Sequence, residues 1–139
     1  MTFLEKFKPI SLLLLRCALA LIFMTHGYPK LFGQNPNGQP VIVPPSGSLV
    51  YLAGVVELFG GALMLLGLFT RAAALLLAVD MGLAVWNLVE LGGYLATKQY
   101  ELPLILCAAS LALATVGPGI ISIDHPLFSS GPQRKISKK

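Results

Sequence analysis

Charged side chains are scarce in this sequence of 139 residues. Only 12% of the residues are charged, whereas a soluble domain usually carries about 25%. Hydrophobic residues make up 55% of the chain, and the mean hydropathy is +0.77. This composition excludes an ordinary soluble domain and predicts an integral membrane protein in contact with the lipid bilayer.

The motifs of the common catalytic and metal-binding sites are also missing. The two cysteines, Cys17 and Cys107, belong to no CxxC pair and lie in apolar runs. The sequence contains no histidine pair at helical spacing, no haem motif, no GxGxxG and no nucleophile elbow. The sequence therefore predicts no metal site, gives no motif for a cofactor and identifies no catalytic residue.

Most of the net charge of +4 comes from the two ends of the chain. The terminal cations are Lys6, Lys8, Arg134, Lys135, Lys138 and Lys139. Beside a bilayer, such residues are explained more simply as topology signals or contacts with anionic lipid than as a nucleic-acid surface. We therefore expect no nucleic-acid partner.

Four apolar segments approach the length of about 20 residues that a helix needs to cross a bilayer. They cover approximately residues 9–28, 48–69, 71–91 and 100–116. Only Phe69–Arg71 separates the second from the third, which predicts a tight antiparallel hairpin. Because helices satisfy their backbone hydrogen bonds locally in lipid, the predicted fold is all-α, an integral membrane four-helix bundle over residues 1–126. Residues 127–139 are predicted to form a basic tail.

Four crossings place both termini on one side of the membrane. That side carries most of the cations, whereas Lys30 and Lys98 fall on the other side. The positive-inside rule then predicts that both termini are cytoplasmic. The first apolar segment continues past Ala18 and Ala20, which predicts a retained helix rather than a cleaved signal peptide. Pro29 is expected to end that helix, with Lys30 in water.

Ionisable side chains inside the predicted spans form the candidate site. A charge at mid-membrane costs about 2.5–3.5 kcal/mol, so it normally faces a partner or a polar cavity. A helical rise of about 1.5 Å per residue places Arg16, Asp80 and Glu57 at about 10, 13 and 18 Å from the cytoplasmic side. His26 lies above them, at about 25 Å on the same count.

Helical spacing predicts that these groups face the interior of the bundle. Gly54, Glu57 and Gly61 share one stripe, where the glycines would let another backbone approach. A second stripe on the third span combines small and polar residues, namely Ala73, Asp80, Ala84 and Asn87. In the simplest arrangement Arg16 bridges Glu57 and Asp80, and His26 or a retained proton balances the remaining charge.

Such a network has two interpretations. Buried ion pairs often only hold helices together, whereas intramembrane ionisable groups also mark pockets for small ligands. The candidate ligand-binding residues are Arg16, His26, Glu57, Asp80 and Asn87.

Several short motifs, in this order, resemble those of the DoxX family. They are Arg16 with Ala20–Gly27 and Lys30–Gly33, then Glu57–Gly61, Leu66–Ala74, Tyr100–Glu101, Gly117–Gly119 and Ser122–Asp124. The resemblance implies a four-helix protein of the bacterial inner (plasma) membrane, from a family whose members are commonly described as oxidoreductases or subunits of redox complexes. It implies a subunit that anchors a redox partner protein or shapes a quinone site.

Two other functions stay open at this point. The small residues on spans two to four, together with the lack of a cofactor motif, suit a non-enzymatic scaffold or assembly factor, which could also form a homo-oligomer. A small transporter for a weak acid is the other alternative, although four spans are few and no discontinuous helix pair is evident.

Overall fold

A computed structural model describes residues 2–34, 37–92 and 100–128 of the chain. It contains the helices α1 (Thr2–Phe32), α2 (Leu49–Leu66), α3 (Thr70–Gly92), α4 (Glu101–Val116) and α5 (Asp124–Phe128). Within these residues there is no strand, only an isolated bridge between Gln34 and Pro40. The predicted all-α class is therefore confirmed. The boundary predicted at residue 126 falls inside α5, and the tail from residue 129 onwards, like Lys98, lies outside the described residues.

The first four helices form the predicted bundle. α1 packs along α2 and α3 along α4, while α2 with α3 and α1 with α4 complete the ring. Three of these helices have segments long and apolar enough to cross a membrane, namely Glu5–Phe32, Leu49–Leu66 and Thr70–Glu90. α4 has 16 residues, which corresponds to a length of about 24 Å.

α1 is longer than the sequence predicted at both ends. It continues through Pro9 and Pro29 to Phe32, so the predicted end of this helix at Tyr28 is wrong. A proline inside a helix removes one backbone donor and costs about 3 kcal/mol. The last turn of α1 packs directly on α2 at Gly54, and this contact favours continuation of the helix past Pro29.

The core is narrow, and large apolar side chains cover the outside of the bundle. The buried cluster includes Phe23, Met64, Leu77 and Leu113, each fully enclosed. Large apolar side chains exposed on the outer surface include Leu21, Leu52, Phe59, Leu76, Trp86 and Ile105. Such a surface is unfavourable in water but matches the hydrocarbon of a bilayer. The chain is therefore a membrane protein whose outer surface contacts lipid.

The connection between α2 and α3 is as short as predicted. α2 is capped by Gly67, whose φ of 71° lies in the left-handed region that favours glycine. At the start of α3, the carboxylate of Asp124 accepts hydrogen bonds from the backbone N–H groups of Phe69 and Thr70, each at 2.7 Å. These two bonds connect the segment after α4 to the hairpin. We call this end of the bundle the hairpin end, and the opposite end, with residues 33–48, the loop end.

Candidate functional site

Glycines bring the backbones of α1 and α2 into direct contact beside Glu57. A Cβ atom on Gly27 would lie 2.7 Å from the Leu58 nitrogen and 2.8 Å from the Gly54 oxygen. A Cβ on Gly61 would lie 3.0 Å from the carbonyl oxygen of Ala20. The prediction that the glycines on α2 admit another backbone is thus confirmed, and that backbone belongs to α1.

Lys30 and Glu57 form an ion pair across this contact. The Nζ atom of Lys30 donates to both carboxylate oxygens of Glu57, at 2.7 and 2.6 Å. The Glu57 side chain is 2% exposed and that of Lys30 is 30% exposed. Because an ammonium group has three N–H donors, one donor of Lys30 remains after Glu57 has taken two. The pair therefore keeps the buried carboxylate satisfied and still presents a charged donor.

A cavity of about 260 Å³ lies beside this ion pair, and all four long helices contribute to it. Its polar lining consists of His26, Lys30 and Glu57. The rest of the lining is apolar, namely Phe23, Met81, Ala84, Leu88, Leu102, Pro103 and Leu106. A mostly apolar pocket with a few convergent polar groups is the usual form of a small-molecule site.

His26 presents one ring nitrogen to its own helix. Its Nδ1 lies 2.8 Å from the carbonyl oxygen of Ile22, and since a carbonyl only accepts, this Nδ1–H donates. Nε2 is then the nitrogen left for a ligand, as an acceptor in neutral imidazole or a donor in imidazolium. His26 was predicted to lie near Glu57, and both residues line this cavity.

Asp80 and Asn87 lie on α3 but differ in their surroundings. Asp80 is partly buried, and its buried Oδ2 has no hydrogen-bond partner among the described residues. Asn87 is exposed and its amide donates to the carbonyl of Leu83 at 2.8 Å, one turn back. Neither residue lines the cavity beside the ion pair, and of the predicted stripe only Ala84 does.

Arg16 does not bridge Glu57 and Asp80, so that prediction is wrong. It is 3% exposed, and its Nη1 donates to the carbonyl oxygen of Pro118 at 3.1 Å. A Cβ on Gly67 would lie 2.8 Å from the same nitrogen, which places Arg16 at the hairpin end. The physical reason is the register of α1 against α2, because Gly54 faces Lys30 while Gly67 faces Arg16.

Lys30 was not predicted to be a site residue, because Pro29 was expected to end α1 and leave Lys30 in water. A usable signal was present, since Phe23, His26 and Lys30 follow one another at i, i+3 and i+7 on a helix. That spacing places all three on one face if α1 continues through Pro29.

A larger cavity of about 490 Å³ lies at the hairpin end and contains none of the predicted site residues. In the residues that the structure describes, no group of three or more His, Cys, Asp or Glu side chains could hold a metal ion. The smaller cavity, with its charged pair and imidazole, is therefore the better candidate for chemistry.

Comparisons with known proteins agree with this architecture. The model of the DoxX family matches residues 11–90. An uncharacterized protein of Haemophilus influenzae is 31% identical over 90% of this chain and 96% of its own. "Inner membrane protein YphA" of Escherichia coli is 31% identical over 85% of this chain and 91% of its own. "Putative oxidoreductase CatD" of Bacillus subtilis is 28% identical over 92% and 95%. No solved structure matches the chain significantly.

Proposed function

Since the chain belongs to the DoxX family, we propose that it is a membrane-embedded subunit of a redox system that holds a quinone-like ligand in the cavity beside Lys30. The observation that carries this proposal is the Lys30–Glu57 ion pair in the wall of a mostly apolar cavity. The printed name of the Bacillus subtilis relative, which includes the word oxidoreductase, supports a redox role.

The size and lining of the cavity fit a single substituted ring. Its volume of about 260 Å³ is just below the range of about 300–1,000 Å³ that is typical of pockets for drug-sized ligands. A nicotinamide or flavin dinucleotide is much larger than such a ring. The apolar walls from Phe23, Met81 and Leu106 suit an aromatic ring, and the remaining donor of Lys30 suits its carbonyl oxygen.

Each charged residue has a separate role in this proposal. When bound, a quinone supplies two-electron, two-proton redox chemistry. Lys30 donates a charge-assisted hydrogen bond to the ring oxygen, and Glu57 holds the Lys30 ammonium at the cavity wall. His26 offers Nε2 to the ligand, where it accepts a hydrogen bond in neutral imidazole and donates one in imidazolium. The electrons come from a redox partner protein, which this subunit would anchor.

The proposed location is the bacterial inner membrane, with both termini in the cytoplasm. The name of the Escherichia coli relative contains the words inner membrane protein. Lys6, Lys8 and Arg71 lie at the hairpin end and favour a cytoplasmic position for that end. At the loop end, Lys30 is paired with Glu57, so it contributes little free positive charge there.

Titration with short-tailed quinones tests this function. The full chain would be reconstituted in lipid nanodiscs and titrated with a short-tailed benzoquinone and a short-tailed naphthoquinone. We expect saturable binding of at least one of them, and Lys30→Met should weaken it at least about tenfold, the value of one charge-assisted hydrogen bond.

The matched control is Lys8→Met, which removes an exposed lysine of the same helix far from the cavity. It should leave the affinity unchanged. Binding that is absent from the wild type, or that is equal in Lys30→Met and wild type, would contradict the quinone site and favour a scaffold.

A further inference from the structure

A second cavity, at the hairpin end, has the form of a site for an acidic amphiphile. Its volume is about 490 Å³, and it lies between the start of α3 and the segment that follows α4. Phe69 and Ala72 of the hairpin and Pro118 and Gly119 of that segment form its apolar part. The lining also contains Arg71, Asp124 and His125.

Arg71 offers an unpaired guanidinium at this cavity. It lies in the first turn of α3, is exposed, and forms no hydrogen bond or ion pair with any residue in the described part of the chain. A Cβ atom on Gly117 would lie 3.0 Å from both Nε and Nη2 of Arg71. Gly117, with a φ of 91°, therefore leaves the space that the guanidinium occupies against the backbone.

The acidic residue of the lining is already engaged. Both oxygens of Asp124 accept hydrogen bonds from backbone N–H groups, those of Phe69 and Thr70, and the residue is 7% exposed. These bonds place its charge at the positive end of the α3 dipole. Within the described lining, the groups that remain for a ligand are the Arg71 guanidinium and the exposed imidazole of His125.

The surroundings of the cavity indicate that its occupant comes from the bilayer. Four large apolar side chains next to it are 44–62% exposed, namely Ile120, Ile121, Ile123 and Leu127. In a membrane protein, such side chains at a helix end lie among the upper acyl chains of the lipid. The cationic groups beside them are then at the level of the lipid phosphates.

We infer that this cavity binds the headgroup of an anionic phospholipid. The Arg71 guanidinium takes two phosphate oxygens in its planar fork, and His125 provides a second donor. Phe69, Ala72 and Pro118 contact the first carbons of the acyl chains. This site is separate from the proposed quinone cavity and does not depend on it.

Lipid retention in detergent tests this inference. The full-length protein would be delipidated and exposed to mixed micelles of phosphatidylglycerol or phosphatidylcholine, and bound lipid would be counted by native mass spectrometry. We expect preferential retention of phosphatidylglycerol. Arg71→Gln should weaken that preference about fivefold, since one cation near the lipid surface contributes about 1 kcal/mol.

Two further variants separate the cavity from general surface charge. Ala72→Phe fills the cavity without removing a charge and should also reduce retention of phosphatidylglycerol. Lys8→Gln removes an exposed cation at the same end outside the cavity and should leave retention unchanged. An equal loss in Lys8→Gln and Arg71→Gln, or equal retention of the two lipids, would overturn the inference.

Inorganic phosphate serves as the competitor in the same experiment. At millimolar concentration inorganic phosphate should not displace phosphatidylglycerol, because it has no acyl chains to contact Phe69 and Pro118. Displacement by inorganic phosphate alone would show a site for a soluble phosphate group and would also overturn the assignment to lipid.

Discussion

Lys30 and Glu57 are 27 positions apart in the sequence, yet the ammonium nitrogen of Lys30 lies within 2.7 Å of both carboxylate oxygens of Glu57. Two features of the fold permit this contact. α1 continues through Pro29, and Gly54 leaves space against the Cβ atom of Lys30. The ion pair thus depends on the backbone contact of α1 with α2, and it is the feature from which the proposed function follows.

Removing only one member of this pair should be worse for stability than removing both. Lys30→Met leaves the buried carboxylate of Glu57 without its partner, which should cost up to about 3 kcal/mol given the partial exposure of Lys30. The double variant Lys30→Met/Glu57→Leu should recover much of that loss. Thermal unfolding in detergent measures the relative stability of the two variants. A double variant less stable than Lys30→Met would contradict this prediction.

Glu57→Gln and Arg16→Leu should separate ligand binding from folding. Glu57→Gln keeps the shape of the side chain but weakens its hold on Lys30, so quinone retention should fall while folded protein stays near normal. Arg16→Leu leaves the Pro118 carbonyl without its donor and should reduce stability, with unchanged binding per folded molecule. Expression, unfolding and quinone binding would be measured together. An equal loss of folded protein in both variants would indicate a purely structural role for Glu57.

Gly27→Ala should disrupt the contact between α1 and α2. Its Cβ would lie 2.7 and 2.8 Å from backbone atoms of α2, and overpacking of this kind typically costs about 1–3 kcal/mol. Gly82→Ala is the matched control, because its nearest neighbour would be the Cys107 sulfur at 4.0 Å. Thermal unfolding should show a loss for Gly27→Ala and no loss for Gly82→Ala. Equal changes in thermal stability would mean that the helix propensity of alanine, and not the close contact between helices, determines the effect of both substitutions.

Asp124→Ala should destabilise the hairpin end. The carboxylate accepts two backbone hydrogen bonds at the start of α3, and their loss should cost about 1–3 kcal/mol. Ser48→Ala removes the single neutral hydrogen bond that the Ser48 side chain accepts from Tyr51 at the start of α2, and should cost about 1 kcal/mol. Hydrogen exchange at the first turn of α3 should increase for Asp124→Ala alone. Unchanged exchange there would contradict the capping role.

The sequence was sufficient for the fold class because lipid restricts the choices. Four apolar segments of helical length leave few alternatives when every backbone group needs an internal partner. The short turn before Thr70 and the glycine face around Glu57 were also predictable, since both depend on residues that are close together in the sequence.

The pairing of charged groups was not predictable, because it depends on how helices slide against one another. Counting residues from assumed helix ends placed Arg16 close to Glu57, whereas the observed register places Lys30 there and Arg16 beside Gly67. Asn87 was also predicted to face the interior of the bundle, but it is exposed. A polar side chain on the predicted inner stripe satisfied its amide on its own helix, at Leu83, and so needed no interior partner.

The quinone content of the protein from its native membrane tests the central claim most directly. Wild type and Lys30→Met would be extracted with their surrounding lipid, and quinone per mole of protein would be measured by mass spectrometry, together with any co-purified redox enzyme. The proposed function predicts near-stoichiometric quinone in the wild type and a large loss in Lys30→Met. Quinone at the level of bulk lipid in both proteins would contradict it.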